Sequence, residues 1–594
     1  MKGWEGNSYS VLKIFELEVP IAAPTVATHI VDSLAAAGVQ RIYGVVGDSL
    51  NGLTEAVRKH REISWIPVRH EESGAFAAGA EAQLDGRLAV CAGSSGPGCI
   101  HLINGLYDAH RSLAPVLAIA GHIPSSEIGT GYFQESHPER VFVDCSHYCE
   151  LISSERQMPR TLQIAMQTAI SRSGVSVIVL PGDVALQRMT NTHLAHPVTD
   201  TCPAIRPCDA DLGRLADLMN AGNRVTILAG AGCAGAHEQL IVLAERLNAP
   251  IVHALRGKDA VEYDNPYDVG MTGLIGFSSG YRALETCDVL LMLGTDFPYT
   301  DWYPENKTII QLDIRPERLG RRCALELGLN GDVKETLTAL LPHLNQKSDS
   351  THLNDALEHY GKARAQLDRH VKGIKGKRPI HPEYLTALAS EIAAADAIFT
   401  ADVGMCTVWA ARYLRMTRGR RLLGSFAHGS MANALPQAIG AQLRYPDRQV
   451  IALCGDGGFA MLMGDFLTLT QLGLPVKLII YNNGSLAMVK LEQNVAGLRE
   501  FGTELDNPNF ARVADAMGAT GIRVEDPSEV RSALERALDA DGPVLVDVVT
   551  NPSELSLPPH TSLEQARGYS LYLLKEILGG GAGDVVESLG SNVR

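Results

Sequence analysis

Two polar runs follow apolar stretches in the C-terminal third of the chain. The stretch 450–453 leads into Gly455-Asp456-Gly457-Gly458, and the stretch 476–481 leads into Asn482-Asn483, so that Asn483 lies 27 positions after Asp456. Glycines at a strand end let backbone N–H groups approach a diphosphate closely, and the start of the next helix adds a favourable dipole. Two ordinary turns could have the same sequence, but the position of both runs at strand ends favours a diphosphate site.

The same runs contain oxygen ligands for the hard cation that two neighbouring phosphates require. The Asp456 carboxylate and the Asn483 amide oxygen suit Mg²⁺, which prefers octahedral coordination shared with phosphate oxygens. A backbone carbonyl just past Asn483, assigned to Ser485, would complete the protein's share of the ligands. The predicted metal ligands are therefore Asp456, Asn483 and Ser485.

The elements that must position these runs alternate between short apolar stretches, rich in β-branched residues, and longer helical patterns. The short stretches recur at 41–46, 88–92, 116–120, 175–180, 225–229, 289–293, 308–314, 450–453, 476–481 and 544–549. Strands that are apolar throughout and separated by helices indicate parallel sheets covered on both faces, with ligands bound beyond the carboxyl ends of the strands. The predicted fold class is α/β with doubly wound parallel sheets.

Polar segments that contain proline divide the chain of 594 residues, which is too long for a single core. Such segments lie at 188–209, 372–379 and 552–559. The boundaries predict an N-terminal extension, three domains and a C-terminal tail, at 1–24, 25–185, 205–340, 380–550 and 555–594. The first and third domains could share one plan.

Composition narrows the class of protein. With 45% apolar and 20% charged residues, the chain is typical of a globular protein and not of a disordered or fibrous one. The formal net charge of −15 argues against nucleic acid as a partner. No apolar run approaches the roughly 20 residues of a membrane-spanning helix, and the first 20 residues lack the features of a signal peptide. We expect a cytoplasmic protein.

The eleven cysteines are scattered and include no CxxC pair. Cys145 and Cys149 bracket His147, which leaves a zinc site conceivable, but no second ligand pair follows at usable spacing. Buried thiols in a reducing compartment are the favoured interpretation.

The order and content of the motifs resemble the superfamily of thiamine-diphosphate enzymes that includes pyruvate oxidase, acetolactate synthase and pyruvate decarboxylase. Besides the two runs described above, the resemblance is carried by Gly44–Ser49, Arg69–Glu72, Gly96–Gly98 and Asn104-Gly105. It covers nearly the whole chain from about residue 25. It implies a pyrimidine-binding domain, a central domain and a diphosphate-binding domain, with thiamine diphosphate and Mg²⁺ as cofactors.

The resemblance also assigns roles to individual residues. Glu71 matches the family's activating acid, whose carboxyl binds N1′ of the cofactor and favours its imino tautomer. Met431 matches the bulky residue that holds the cofactor in its bent form. The cofactor contacts that the resemblance implies around the diphosphate are Glu71, Gly429, Ser430, Met431, Asp456, Gly457, Gly458, Asn483, Gly484, Ser485, Leu486, Ala487, Met488 and Val489. Glu71 and Asp456 lie on different domains, which implies a subunit interface and at least a dimer, with a tetramer by resemblance.

Within the superfamily, the central domain resembles the ubiquinone-dependent pyruvate dehydrogenase branch, of pyruvate oxidase type, and implies bound FAD. The implied flavin contacts are Thr272, Gly273, Leu274, Ile275, Thr295, Asp296, Phe297, Pro298, Tyr299 and Asp313. Another run, Gly230–Gly235, satisfies GxGxxG, but the next strand ends without the acidic residue of a nucleotide fingerprint. We interpret it as a tight turn rather than an NAD site.

Five residues are the candidate catalytic set: Glu71, Phe133, Gln134, Met488 and Glu492. By resemblance, Phe133 and Gln134 border the reacting carbonyl, and Glu492 is a carboxylate near the substrate. The branch has Phe where this chain has Met488, and Ser where it has Gly484. Methionine keeps the site apolar, so the chemistry is expected to survive, whereas the activation switch of the branch is in doubt.

The implied reaction is oxidative decarboxylation of pyruvate to acetate and CO₂, with electrons passing through FAD to ubiquinone. An acetolactate synthase-type carboligase and a pyruvate oxidase that uses O₂ and phosphate remain alternatives. Leu571, Leu574, Ile577 and Leu578 recur at helical spacing in the tail, which allows peripheral contact with the inner face of the cell membrane. The scarcity of basic residues there weakens that expectation.

Overall fold

The structure is a computed structural model that describes residues 23–190, 198–199 and 204–554. It contains three six-stranded sheets in which the neighbouring strands pair in parallel, each covered by helices. The predicted α/β class with three doubly wound parallel sheets is confirmed. The tail over 555–594, including the apolar residues of its helical pattern, lies outside the described residues, as does the extension up to residue 22.

The first domain is built on strands β1–β6, which occupy Arg41–Gly44, Ser64–Pro67, Ala89–Gly93, Val116–His122, Tyr148–Leu151 and Val175–Pro181. Its helices α1–α8 occupy Val26–Ala36, Asn51–Lys59, Glu71–Asp85, Pro97–His101, Ile103–Arg111, Pro138–Val141, Met158–Ser171 and Gly182–Ala185. The strand order is β2-β1-β3-β4-β6-β5. The order reverses between β1 and β3, where parallel sheets open a crevice for ligands.

The central domain contains strands β7–β12 at Val225–Ala229, Ile251–His253, Asp268–Met271, Val289–Leu293, Thr308–Asp313 and Leu327–Asn330. Its helices α9–α13 occupy Asp209–Ala221, His237–Leu247, Lys258–Val261, Ser278–Thr286 and Val333–Leu340. The order β12-β11-β10-β7-β8-β9 is typical of dinucleotide-binding sheets, with its reversal between β7 and β10. A long helix, α14 (Thr351–Ile374), leads from this domain to the next.

The third domain contains strands β13–β18 at Ile398–Ala401, Arg421–Gly424, Val450–Gly455, Lys477–Asn482, Thr520–Val524 and Val544–Val549. Its helices α15–α22 occupy Pro382–Ile392, Met405–Tyr413, Ala434–Arg444, Asp456–Leu462, Phe466–Leu472, Ala487–Val495, Phe510–Ala516 and Val530–Asp539. The order β14-β13-β15-β16-β18-β17 repeats that of the first domain position by position. The expectation that these two domains share one plan is confirmed.

Short 3₁₀ turns complete the described elements, at Asp48–Leu50, Ser125–Glu127, Ala231–Cys233, Leu255–Gly257, Thr300–Trp302, Pro316–Arg318, Leu341–His343 and Met463–Asp465. Among the helices of residues 23–554 that the structure describes, none is long and apolar enough to cross a membrane.

The first and third domains pack directly on each other through α3 and α17. The two helix backbones come so close that a Cβ at Gly440 would lie 2.1 Å from the carbonyl oxygen of Ala77. Arg444 Nε donates to Asp85 Oδ2 at 2.5 Å, and Gln437 Nε2 donates to Asp108 Oδ2 at 3.1 Å. Because Asp108 is fully buried, this contact belongs to one continuous core across both domains.

The cysteines around His147 lie in the core of the first domain or pack against it. Cys145 is buried and Cys149 is partly buried, and burial raises the pKa of each thiol to about 12. Neither belongs to a group of three ligand atoms that converge within 4.8 Å among the described residues. The interpretation of this pair as thiols held in the core is supported.

Candidate active site

The two polar runs of the third domain lie side by side. Strand β15 ends at Gly455 and β16 ends at Asn482, and the two strands pair with Gly455 opposite Tyr481. Helix α18 begins at Asp456, and the backbone N–H of Gly484 donates to Asp456 Oδ2 at 2.7 Å. A direct hydrogen bond therefore joins the loop after β15 to the loop after β16.

The oxygen atoms of these loops fit a divalent cation. Asp456 is buried, which raises the pKa of its carboxyl, while N–H groups of Gly457 (2.9 Å to Oδ1) and Gly484 oppose that shift. The Asn483 amide oxygen accepts the backbone N–H of Ser485 at 3.0 Å and retains a second lone pair. A buried carboxylate is more stable when a cation neutralises its charge, and carboxylate and amide oxygens are ligands that suit Mg²⁺. The residues therefore fit the predicted ion.

A cavity opens beside these loops. The predicted site residues that line it are Met431, Asp456, Gly457, Gly458, Asn483, Ser485, Leu486, Ala487, Met488, Val489 and Glu492. The structure thus gathers the predicted metal ligands, the methionine assigned to hold the cofactor and two predicted catalytic side chains around one space.

Three further predicted cofactor contacts lie next to the residues that line the cavity. Gly484 is the donor to Asp456, and its φ of +63° requires a residue without a Cβ penalty. Gly429 has a φ of +90°. Ser430 accepts Asn104 Nδ2 at 2.9 Å through its Oγ, which ties this loop to α5 of the first domain.

Sequence reasoning missed the contribution of strand β13 to this cavity. β13 pairs with β15, and the strand order of the sheet reverses between them, so the loop after β13 faces the same crevice. The residues it places on the cavity wall are Asp402, Val403, Gly404, Met405, Cys406 and Trp409. The signal was present, because an apolar stretch at 398–401 ends in Asp402-Val403-Gly404, a strand followed by Asp and Gly as at Asp456.

Asn507 was also missed. Its Nδ2 donates to Asp456 Oδ2 at 2.8 Å and to Asn482 Oδ1 at 3.1 Å. It comes from an irregular segment that returns over the loops, and no periodicity marked it. Asn507 therefore holds Asp456 through Oδ2, whereas Gly457 binds Oδ1.

Glu71 lies elsewhere in the single chain. It begins α3, is buried, and its Oε2 is 2.9 Å from Nδ1 of His101, whose ring stacks on that of His70 at 4.4 Å. It is not among the residues that line the cavity of the third domain. The structure of one chain therefore does not bring the predicted activating acid to the predicted metal ligands.

Phe133 and Gln134 lie on a loop of the first domain and are likewise absent from that cavity wall. The Phe133 side chain is 78% exposed, which is unusual for an aromatic residue that lacks a partner surface. Gln134 has a φ of +62° and accepts the Ser95 hydroxyl at 2.9 Å. A left-handed residue other than glycine stores strain, and such strain clusters at binding sites.

The predicted flavin contacts occupy loops at the carboxyl ends of the central strands. Thr272 follows β9, and its hydroxyl oxygen is buried without a hydrogen-bond partner among the described residues. Gly273 has a φ of +92° and lies against Phe297, which a Cβ would meet at 2.7 Å. Leu274 and Ile275 continue this turn. The orphaned hydroxyl and the glycine cradle fit a bound polar group such as a nucleotide.

The remaining flavin candidates lie after β10 and β11. Thr295 is buried, and Asp296 forms ion pairs with Arg321 and Arg322 at 3.2 and 3.0 Å. Pro298 and the half-exposed Tyr299 follow. Asp313 ends β11, is buried, and accepts the backbone N–H of Arg315 at 2.9 Å, while burial raises the pKa of its carboxyl.

The run Gly230–Gly235, interpreted as a tight turn, begins where the order of the central sheet reverses. A Cβ at Gly232 would lie 2.6 Å from the Cα of Gly294, which follows β10. The glycines therefore permit close packing of two turns, in agreement with the interpretation as a tight turn. They also border the crevice beside the flavin candidates. Sequence reasoning rejected NAD there and left this adjacency unnoticed.

Comparison with known proteins agrees with this architecture. Three profiles of thiamine pyrophosphate enzymes match: the N-terminal TPP binding domain over residues 24–140, the central domain over 212–340, and the C-terminal TPP binding domain over 402–548.

Full-length relatives give the same picture. A putative thiamine pyrophosphate-containing protein of Bacillus subtilis, YdaP, is 38% identical over 91% of this chain and 93% of its own. A pyruvate oxidase of Lactiplantibacillus plantarum is 30% identical over 88% and 87%. A probable acetolactate synthase large subunit of Methanocaldococcus jannaschii is 31% identical over 89% and 92%. With all three domains matched in order, the chain belongs to the family of thiamine pyrophosphate enzymes.

Proposed function

We propose that this enzyme oxidatively decarboxylates pyruvate to acetate and CO₂ with thiamine diphosphate, Mg²⁺ and FAD, and passes the electrons to ubiquinone. The observation that carries the flavin part is the link between the central domain and the cavity. Arg412 on α16 donates from Nε to the carbonyl of Ile275 at 3.2 Å. The same helix begins with Met405 and Cys406 on the cavity wall, so a flavin beside Thr272 would lie next to the thiamine site.

The predicted residues around the cavity have defined tasks in this proposal. Asp456 and Asn483 hold the ion that binds the diphosphate, and Met431 packs against the cofactor. Thiamine diphosphate supplies the electron sink for decarboxylation, and FAD supplies a two-electron acceptor. The Met488 side chain keeps one wall of the reacting centre apolar, and Glu492 places one carboxylate near a small 2-oxo acid.

The proposal requires a second copy of the chain. Glu71, Phe133 and Gln134 lie outside the cavity of their own third domain, although the family resemblance assigns all three to the reacting centre. A neighbouring copy would bring them to the cavity, where Glu71 would bind the pyrimidine ring and the exposed Phe133 would become covered. At least a dimer follows, with a tetramer as the proposed assembly.

The relatives favour two alternative reactions, because one is named a pyruvate oxidase and another a probable acetolactate synthase. The test uses the full chain loaded with thiamine diphosphate, Mg²⁺ and FAD, and pyruvate as substrate. Acetate formed with reduction of a ubiquinone analogue supports the proposal. Acetolactate without acceptor reduction identifies a carboligase, and acetyl phosphate with peroxide identifies an oxidase that uses O₂ and phosphate.

Two controls sharpen this assay. Protein that shows no flavin absorbance after loading with FAD would remove the flavin from the proposal. Phospholipid vesicles added to the assay test the proposed peripheral membrane contact of residues 555–594: faster reduction of the ubiquinone analogue, with vesicles that sediment together with the protein, supports it. An unchanged rate and no co-sedimentation exclude it.

A further inference from the structure

A second group of ligand-type side chains lies apart from the predicted magnesium site. His370 near the end of α14, Glu383 in the first turn of α15, and Glu554 after β18 place one ligand atom each within 4.8 Å of one another. Glu383 and Glu554 are each 4% exposed. Two consecutive helices and the segment after β18 therefore converge on one point.

The distances in this group match the edges of a metal coordination polyhedron. His370 Nε2 lies 3.4 Å from Glu383 Oε1 and 3.9 Å from Glu554 Oε1. Ligand atoms at about 2.0–2.1 Å from a tetrahedral Zn²⁺ lie about 3.4 Å apart. These separations are long for good hydrogen bonds but suitable for atoms that share an ion.

One oxygen of the group lacks a partner. Glu383 Oε2 is buried and makes no hydrogen bond among the described residues. Two carboxylates buried side by side repel each other unless a cation or a proton lies between them. The unpartnered oxygen of Glu383 points to a missing ligand at this place.

The surroundings orient the candidate ligands as outer partners do in metal sites. His381 Nδ1 lies 2.6 Å from Glu554 Oε2, and Asn551 Nδ2 donates to the same oxygen at 3.1 Å. Glu554 Oε1 is thereby turned toward His370. A ligating carboxylate held through its second oxygen is the usual arrangement around protein-bound metals.

We propose that His370, Glu383 and Glu554 bind one first-row transition-metal ion of the Zn²⁺ type, with His381 as a positioning residue. An imidazole nitrogen with two carboxylates suits Zn²⁺ better than Mg²⁺. The site would link α14 to the catalytic domain. Because Glu554 also lines the catalytic cavity, the ion would fix part of the cavity wall, next to the point where the chain continues into residues 555–594.

Calorimetric titration of the metal-free full chain with ZnCl₂, in excess Mg²⁺ and thiamine diphosphate, tests the proposal. We expect one tight site per chain in the wild type, weakened at least about 10-fold by Glu383→Gln and by His370→Asn. Glu358→Gln is the matched control, because it lies on α14 and pairs only with the exposed Lys362 among the contacts described. Equal affinity in all four proteins, or no saturable binding by the wild type, overturns the proposal.

A measurement on the wild type alone tests the proposal even if the variants fold poorly. X-ray absorption at the zinc edge should show nitrogen and oxygen donors at about 2.0–2.1 Å, with imidazole scattering. Sulfur donors at about 2.3 Å would place the ion on cysteines and overturn the assignment. Neither result depends on the reaction that the enzyme catalyses.

Discussion

Asp402 and Gly458 approach each other so closely that a Cβ on Gly458 would lie 2.4 Å from Asp402 Oδ2. The Asp402 carboxylate is fixed from two sides, by the backbone N–H of Ala434 at 2.9 Å and that of Gly455 at 3.2 Å. It therefore braces the start of α17 and the end of β15 at once. The third glycine of the diphosphate run is required by this buried carboxylate as well as by a cofactor.

Gly458→Ala should weaken binding of thiamine diphosphate. The new methyl group would push Asp402 or the backbone at Ala432, 3.2 Å away, and overpacking of this kind costs about 1–3 kcal/mol. We expect cofactor affinity to fall by roughly 10-fold or more, measured by calorimetry with Mg²⁺ present. Gly464→Ala is the control, because its Cβ would make only an ordinary contact at 3.9 Å. Unchanged affinity in Gly458→Ala would show that the loop has room to adjust.

Glu71→Gln should retain cofactor binding and lose most turnover. A glutamine cannot supply the carboxyl that favours the imino tautomer, and loss of a positioned acid or base typically lowers rates by about 10²–10⁴-fold. The measurement is kcat for pyruvate beside the dissociation constant of the cofactor. Glu72→Gln serves as the neighbouring control, since a glutamine oxygen can still accept Asn104 Nδ2, now at 2.7 Å. Near-normal kcat in Glu71→Gln would refute its role as activator.

Asp456→Ala should abolish the magnesium dependence of cofactor retention. The variant lacks the buried carboxylate, leaves the N–H of Gly484 without its acceptor and leaves Asn507 with Asn482 as its acceptor. We expect thiamine diphosphate to bind weakly, with or without Mg²⁺, in a calorimetric titration. Asp447→Ala, an exposed position before β15, should behave as wild type. Magnesium-dependent binding that survives in Asp456→Ala would move the ion to other ligands.

Most strands that lie inside a sheet were predictable from the sequence. The ten apolar stretches found in the sequence all appear as strands, with ends that shift by no more than two residues. Strands at the sheet edges were missed by the sequence analysis, including β2, β5, β12, β14 and β17. Edge strands are short and carry polar or exposed side chains on one side, as Ser64–Pro67 does, so the apolar signal is lost. The inner strand β13 was also missed, although it is no shorter than β1, which was predicted.

The residues of the candidate site were predictable where they belong to a sequence motif. They were not predictable where only the folded chain brings them together. Asp456 and Asn483 stand in a readable pattern at strand ends. Asn507 comes from an irregular segment, and its role depends on a return of the chain that no local pattern records. Glu71 illustrates a different limit, because it lies outside the cavity of its own chain and its proposed role needs a second copy. Burial and topology supply what spacing along one chain cannot.

The buried Asp108 gives stability a defined dependence on pH. Burial raises the pKa of its carboxyl to about 6, although Gln437 and the charge of Arg256 oppose the shift. In the unfolded chain an aspartate titrates near 3.9, so between about pH 4 and pH 6 the folded state holds a proton that the unfolded state releases. Stability from this group is therefore complete below pH 4 and is lost as the pH rises through 6.

Asp108→Asn should remove this dependence, because the amide cannot ionise and its oxygen can still accept Gln437 Nε2. A shift of about two pKa units corresponds to about 3 kcal/mol. We expect the Tm of the variant, relative to wild type, to rise between pH 4.5 and pH 7, as followed by scanning calorimetry. Asp217→Asn, exposed on α9, should show a constant difference from wild type over that range. A constant difference for Asp108→Asn as well would mean that Asp108 is ionised in the fold at every pH tested, with Arg256 outweighing burial.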